Sequence, residues 1–206
     1  MQSHDPTTTQ EIISQDRKNV SRFGVGNAMA QAYNHTILPI ASRNEKITQV
    51  YWGIADFEHR FGHRPLGIWL PETAANLETL QVLVDHGIQF TILAPWQFAR
   101  QPVDVSQPYR IELPEGRSIV AFTYHPDLSG GISFNPSLTT NADQFAQYNL
   151  QPFFSSDKAR SGEPQMIMLA SDGELYGHHQ PLRNYFLARL VDGAVSRLGL
   201  EVTYPG

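Results

Sequence analysis

Four short apolar runs in this chain each end in residues able to carry chemistry. Leu70 is followed by Pro71-Glu72, Leu93 by Ala94-Pro95-Trp96, Thr123 by Tyr124-His125, and Ala170 by Ser171-Asp172-Gly173-Glu174. If the runs are parallel strands, their carboxyl ends share one side of a sheet, where α/β barrels and open α/β sheets build active sites. A glutamate and an aspartate in one cleft, beside aromatic rings, match what glycoside hydrolysis requires. One carboxylate attacks the anomeric carbon, and the other protonates the leaving oxygen and then activates water. The apolar faces of sugars stack on aromatic rings, while His or Asn side chains hold hydroxyls. Metal-assisted hydrolysis competes, because His35, His125, Asp172 and His178 are all oxygen or nitrogen donors. Those four donors are scattered along the sequence, which makes the metal chemistry the weaker of the two.

Each candidate also has an ordinary structural explanation. Glu72 precedes a helix, where exposed N–H groups and the dipole favour a carboxylate. Asp172-Gly173 is a common turn dipeptide. His178-His179 fits a solvated loop, His35 fits the end of a helix, and Trp69 and Trp96 fit a core. What favours function is coincidence, since unrelated structural accidents need not choose strand ends.

The elements that position these residues are read from periodicity and punctuation. Residues 1–20 lack apolar periodicity and are expected to be a frayed end or a solvated helix. A helix is expected over 27–33. The clearest helix follows: Ile47, Val50, Tyr51, Ile54, Phe57 and Phe61 recur at 3.6-residue spacing, Ser42-x-x-Glu45 supplies a capping box, and Gly62 a stop. Runs 66–70 and 88–93 read as buried strands, with Leu77, Leu80, Leu83 and Val84 marking a helix between them. This strand–helix–strand repetition implies a parallel sheet. Pro114-Glu115-Gly116-Arg117 joins 109–113 to 118–124 as a hairpin. Residues 166–170 read as a fourth buried strand, and Pro181 opens a long helix with Leu182, Phe186, Leu187, Leu190, Ala194 and Leu198 on its core face. A last strand is expected from Leu200. The stretch 126–164, rich in Ser, Asn, Pro and Gly with one helix near 142–148, is too long for an ordinary βα connection. It reads as an insertion packed over the site, one of its aromatics lining the sugar groove.

Composition narrows the function classes. With 206 residues, 41% hydrophobic and 17% charged, the chain is expected to fold as a single domain. Fifteen Lys and Arg against 20 Asp and Glu give a net charge of −5. With no basic run, that balance argues against nucleic-acid partners. The absence of cysteine excludes disulfides, thiolate metal sites and cysteine nucleophiles. No apolar run reaches the roughly 20 residues that span a bilayer, and the polar N-terminus has no signal-peptide core, so no membrane partner and a cytoplasmic location are expected.

Three ordered blocks resemble glycoside hydrolase family 57, whose members act on α-glucans. Gln31-Ala32-Tyr33-Asn34-His35-Thr36-Ile37-Leu38-Pro39 is similar to the family's second conserved region. Gly67-Ile68-Trp69-Leu70-Pro71-Glu72 is similar to the third, and Ala170-Ser171-Asp172-Gly173-Glu174-Leu175-Tyr176-Gly177-His178 to the fourth. The stretch Trp52-Gly53-Ile54-Ala55-Asp56-Phe57-Glu58-His59-Arg60-Phe61-Gly62 resembles a bacterial subgroup. The resemblance covers about residues 21–200. It implies an α/β fold, a partial (β/α)7 barrel of parallel strands with one long βα insertion. It implies a retaining hydrolase or glucanotransferase, with Glu72 as nucleophile and Asp172 as general acid/base, their carboxyls about 5–5.5 Å apart. His35, Trp69, Trp96, His125, Glu174 and His178 are the expected sugar contacts, with no metal and no cofactor. The family's first conserved region has no counterpart here; His4-Asp5-Pro6 has similar letters but follows no apolar strand. The chain is thus expected to be truncated at both ends, with unpaired sheet edges open to self-association. Two alternatives stand beside this one: a metal-dependent carbohydrate esterase or deacetylase on a related barrel, and an inactive glucan-binding fragment.

Overall fold

The computed structural model describes residues 4–205. The chain divides into two compact units. The first runs to Leu93 and adds Tyr109–Ala121 and the residues from Tyr204; the second comprises Ala94–Pro108 and Phe122–Thr203.

In the first unit, α1 (Pro6–Phe23) is the helix of the two readings given for 1–20, a frayed end or a solvated helix, with residues 1–3 outside the described residues. Local chemistry explains why it forms: Pro6 sits in the first turn, Asp5 accepts the Thr8 N–H at 3.0 Å, and Gly24 ends the helix at φ 81°. One buried carboxylate ties α1 down. Asp16 accepts the Ala28 N–H at 2.8 Å and lies 2.6 Å from His63 Nε2. Residues 27–33 do not form the expected helix. Ala30 and Ala32 are buried and Gln31 is exposed, a period of two, and β1 (Ala30–Gln31) pairs with the sheet. α2 (Arg43–Phe61) has both halves of its capping box, buries Val50, Ile54 and Phe57, and stops at Gly62. β2 (Gly67–Trp69), α3 (Leu77–Asp85) and β3 (Phe90–Leu93) follow as expected. β4 (Tyr109–Glu112) and β5 (Ser118–Thr123) form the expected antiparallel hairpin, with the last two residues of β5 in the second unit.

The sheet order is β1-β2-β3-β5-β4. β1 and β2 are parallel with Ala30 opposite Ile68 and Gln31 opposite Trp69, and β2 and β3 are parallel with Ile68 opposite Thr91. Hence the chain leaves β1 and β2 at the same end of the sheet. Gly67 is required here, because a Cβ would fall 2.3 Å from the Phe90 ring.

The second unit has its own core of Leu128, Ile132, Phe145, Leu150, Leu175, Phe186 and Leu190. Residues 126–164 fold mainly as helices: α4 (Pro126–Phe134), α5 (Ala142–Gln144) running into a π-helical turn to Leu150, and α6 (Ser156–Ser161). Residues 166–170 are not a strand. They make one parallel bridge, Tyr124 to Met168, while the Met166 N–H bonds Ser106 O at 3.0 Å and the Ala170 N–H bonds Ser129 Oγ at 3.1 Å. Donors spent on loop and side-chain partners leave no ladder. α7 (Arg183–Arg189) starts after Leu182, which is exposed at φ 65°, and continues as a π-helical turn over Leu190–Ala194. Only Phe186, Leu190 and Ala194 of the expected core stripe are buried, while Leu187 is exposed. Among the described residues, no strand forms after Leu200. Among the described residues, no helix is long and apolar enough to cross a membrane.

Candidate functional site

Glu72 owes its position to a backbone turn that most residues avoid. After β2 the chain passes through Pro71–Thr73, with Glu72 at φ 54° and ψ 21° and Thr73 at φ 53°. The left-handed region is uncommon for a side chain with a Cβ, and for β-branched threonine it is an outlier. The turn is held by the Thr73 N–H donating to Leu70 O at 2.9 Å and the Ala74 N–H to Pro71 O at 3.0 Å. It leaves the Glu72 side chain 76% exposed.

The carboxylate has no capping role. α3 begins five residues later, capped by Asn76, whose Oδ1 accepts the Thr79 N–H at 2.8 Å. The structural explanation for Glu72 therefore fails, and a strained, solvent-facing carboxylate is left at a strand end. Such strain gathers where function demands it.

β1, the parallel neighbour of β2, delivers His35 to the same place. His35 is also left-handed, φ 54°, its N–H donating to Ala32 O at 3.1 Å. Its Nε2 lies 3.6 Å from Glu72 Oε1, and its side chain is 58% exposed. That distance is too long for a full hydrogen bond and short enough for an ion pair when the ring is protonated. Trp69, at the end of β2, is half-buried. Thus the first unit brings together His35 and Glu72, with Trp69 three residues from the carboxylate.

The second unit holds the other candidates. Asp172 is exposed and opens a short 3₁₀ turn, Gly173–Leu175, in which the Leu175 N–H bonds the Asp172 carbonyl at 3.2 Å. The expected Asp-Gly turn is present, but it uses the backbone of Asp172 and leaves the carboxylate uncommitted to a cap. Ser171 Oγ and Tyr176 OH, 2.8 Å apart, bridge the two sides of that turn. The Glu174 carbonyl accepts the N–H groups of His178 at 3.2 Å and His179 at 2.9 Å, so this loop is fixed by its main chain and the two exposed imidazoles face solvent.

Trp96 is 65% exposed, standing edge-on to Tyr124 at 5.9 Å, and so is no core residue. His125 is different: it is 5% exposed, its Nδ1 accepts the Leu128 N–H at 3.4 Å as the cap of α4, and its ring packs against Phe153 at 4.0 Å. Burial lowers its pKa, so it is neutral, with the remaining proton on Nε2. Of the aromatics in 126–164, Phe145 lies in the second core against Phe186, and Phe154 packs on that core. Among the described residues, no group of three or more His, Asp or Glu comes together to hold a metal.

Three features escaped the sequence. The paired left-handed turns at His35 and Glu72 involve no glycine, the usual marker of φ > 0. Ser171 and Tyr176 flank Asp172 inside a recognised block, yet only the bond between them marks them out. The rings of Tyr33 and Trp52 also meet, at 5.6 Å and 81°, both on the surface.

Comparison with known proteins places the fold. A 1,4-alpha-glucan branching enzyme of Thermococcus kodakarensis is 42% identical over 52 residues, 25% of this chain and 8% of that protein. A branching enzyme structure from Pyrococcus horikoshii matches with a TM-score of 0.78 at 18% identity, over 98% of this chain and 47% of the other. The exo-type maltose-forming amylase of Pyrococcus sp. ST04 matches with a TM-score of 0.75 at 18% identity, over 97% of this chain and 34% of the other. This chain therefore spans less than half the length of these relatives. The structural likeness bears out the α/β class and the partial barrel that the sequence blocks imply. The model of glycosyl hydrolase family 57 matches residues 6–205, and the chain belongs to that family.

Proposed function

We propose that the chain carries the catalytic carboxylates of an α-glucan-active retaining hydrolase or glucanotransferase. Glu72 attacks the anomeric carbon to form a glycosyl ester. Asp172 protonates the departing oxygen and then deprotonates the acceptor, water or a sugar hydroxyl. His35, beside Glu72, donates to a sugar hydroxyl or to the carboxylate as charge develops. Trp69 and Trp96 offer stacking faces, and Glu174, His178 and the Nε2–H of His125 offer hydrogen bonds to hydroxyls.

The observation that carries this is Glu72: a strained, exposed carboxylate at a strand end, beside a histidine in the turn after the neighbouring parallel strand, with the helix that follows capped by another residue. Self-association belongs to the same proposal. Among the described residues β4 stands at the edge of the sheet, beside β5 alone, and an open sheet edge pairs readily with another chain.

The test is incubation with maltooligosaccharides and amylose, followed by product separation. Short sugars alone mean hydrolysis, longer ladders mean transfer, and new branch points mean branching. Glu72→Gln should lower turnover by about 10⁴-fold or more, and Asp172→Asn by roughly 10²–10⁴-fold. Full activity in Glu72→Gln would refute the proposal. Stoichiometric zinc or manganese in the purified protein, with deacetylation of acetylated sugars, would establish the metal-dependent esterase instead.

A further inference from the structure

The motif block on α2 has a feature that catalysis does not use. A cavity of about 490 Å³, within the usual range of small-ligand sites, lies between β1 with its following turn and one stripe of α2. Its wall includes Gln31, Tyr33 and Asn34 from the strand side, and Gly53, Asp56 and Arg60 from the helix. Gly53 sets how closely these elements approach: a Cβ there would fall 1.9 Å from the Gln31 carbonyl oxygen. That approach brings Trp52, the residue before Gly53, against the Tyr33 ring at 5.6 Å. Both rings stay open to solvent, Tyr33 at 53% and Trp52 at 47% exposure. On the same stripe of α2, Asp56 and Arg60, both partly exposed, form a two-bond i,i+4 ion pair at 2.7 and 2.9 Å that presents a planar polar surface.

Exposed aromatic rings beside planar donors and acceptors are what a sugar ring needs: an apolar face to stack on and fixed partners for vicinal hydroxyls. A purely structural pair would bury its apolar area, whereas these rings leave about half of theirs in water.

We propose that this groove is a second glucan-binding site, distinct from Glu72 and His35, that holds an α-glucan chain through Tyr33 and Trp52 on its rim and through Asn34, Asp56 and Arg60 within it. It rests on the glucan reading of the family site. Tyr33 precedes His35 by two residues, so one chain segment contributes to both sites, and the groove would keep a long glucan near the catalytic carboxylate.

The chain has three tryptophans, Trp52, Trp69 and Trp96, so three indole N–H signals report on it. They are assigned by single Trp→Phe changes and followed by NMR while maltoheptaose is titrated into the full chain. The Trp52 signal should shift along a saturable curve, and should still do so in Glu72→Gln. In Tyr33→Ala, checked for folding by its melting curve, the affinity read from Trp52 should fall about tenfold. Asp56→Asn provides an independent reading of the same affinity without touching either ring.

Movement of Trp69 or Trp96 with a still Trp52 signal would overturn the second site and leave the catalytic proposal standing. Three still signals at millimolar sugar would overturn both. A Trp52 shift that follows protein concentration without sugar would make the rings a contact between copies and overturn the glucan site.

Discussion

Replacing Glu72 by glycine should leave the protein about as stable as the parent and, under the proposed mechanism, without turnover. The magnitude follows from the turn. At φ 54° and ψ 21° a residue with a Cβ is disfavoured by about 1–2 kcal/mol, a strain that glycine does not feel. Glycine raises the entropy of the unfolded chain, which costs about 0.4–1 kcal/mol. The side chain forms no cap, and its ion pair with His35 joins two groups more than half exposed, so that contact contributes roughly 0–1 kcal/mol. Together these terms run from a loss of about 1 kcal/mol to a gain of about 1.6 kcal/mol. At their midpoints they leave a gain of roughly 0.3 kcal/mol, which moves the melting point by only about 1 °C in a chain of this size. Glu72→Ala, which keeps the Cβ strain and loses the carboxylate, should stay near the parent. The assay is thermal unfolding followed by circular dichroism on all three proteins. A loss of more than about 1 kcal/mol in Glu72→Gly would mean that the carboxylate holds the fold, and the inference from strain to function would be wrong.

Other consequences concern the framework around the site. His63 is flanked by acceptors only: Nε2 lies 2.6 Å from the Asp16 carboxylate and Nδ1 2.9 Å from the Arg64 carbonyl. Burial opposes protonation, yet these partners raise its pKa above the ordinary 6.5. A raised folded-state pKa means stabilisation that is full below about pH 6.5 and lost as pH climbs through the folded value. Denaturant midpoints measured from pH 5.5 to 9 should therefore fall in the parent, and lose this component in His63→Phe. Removing the buried partner, Asp16→Ala, should cost about 3–5 kcal/mol in urea unfolding. Asn76→Ala should cost about 1 kcal/mol by the same measurement, since it and not Glu72 caps α3. Gly53→Ala should lower stability and, by parting α2 from β1, broaden the Trp52 indole signal.

Much of the first unit was legible, because its signals are local and redundant. The Ser42/Glu45 box, the Gly62 stop and the apolar stripe of α2 all agree, and the structure follows them. The 27–33 segment reads as a helix in sequence, whereas in the fold its burial alternates with period two at Ala30 and Ala32 and the parallel strand at 67–69 supplies its partners. The 166–170 run is apolar enough for a strand. What it lacks is a ladder, since its N–H groups are taken by Ser106 and Ser129, residues distant in sequence. In 126–164 the helices announce themselves by caps, His125, Asn141 and Ser155, rather than by periodicity. Glu72 was legible as a candidate but not as an unneeded cap. That distinction required Asn76, whose own capping bond only the folded chain displays.

The proposed nucleophilic role of Glu72 is tested most directly by trapping its ester. A 5-fluoro α-glucosyl fluoride forms the glycosyl-enzyme readily and releases it slowly, and its fluoride leaving group needs little help from Asp172. Incubation with the parent and with Asp172→Asn, followed by peptic digestion and mass spectrometry, should place one fluoroglucosyl unit on the peptide containing Glu72. No label should appear in Glu72→Gln. Label on another carboxylate, or fluoride release at parental rate in Glu72→Gln, would contradict the assignment of Glu72 as the nucleophile.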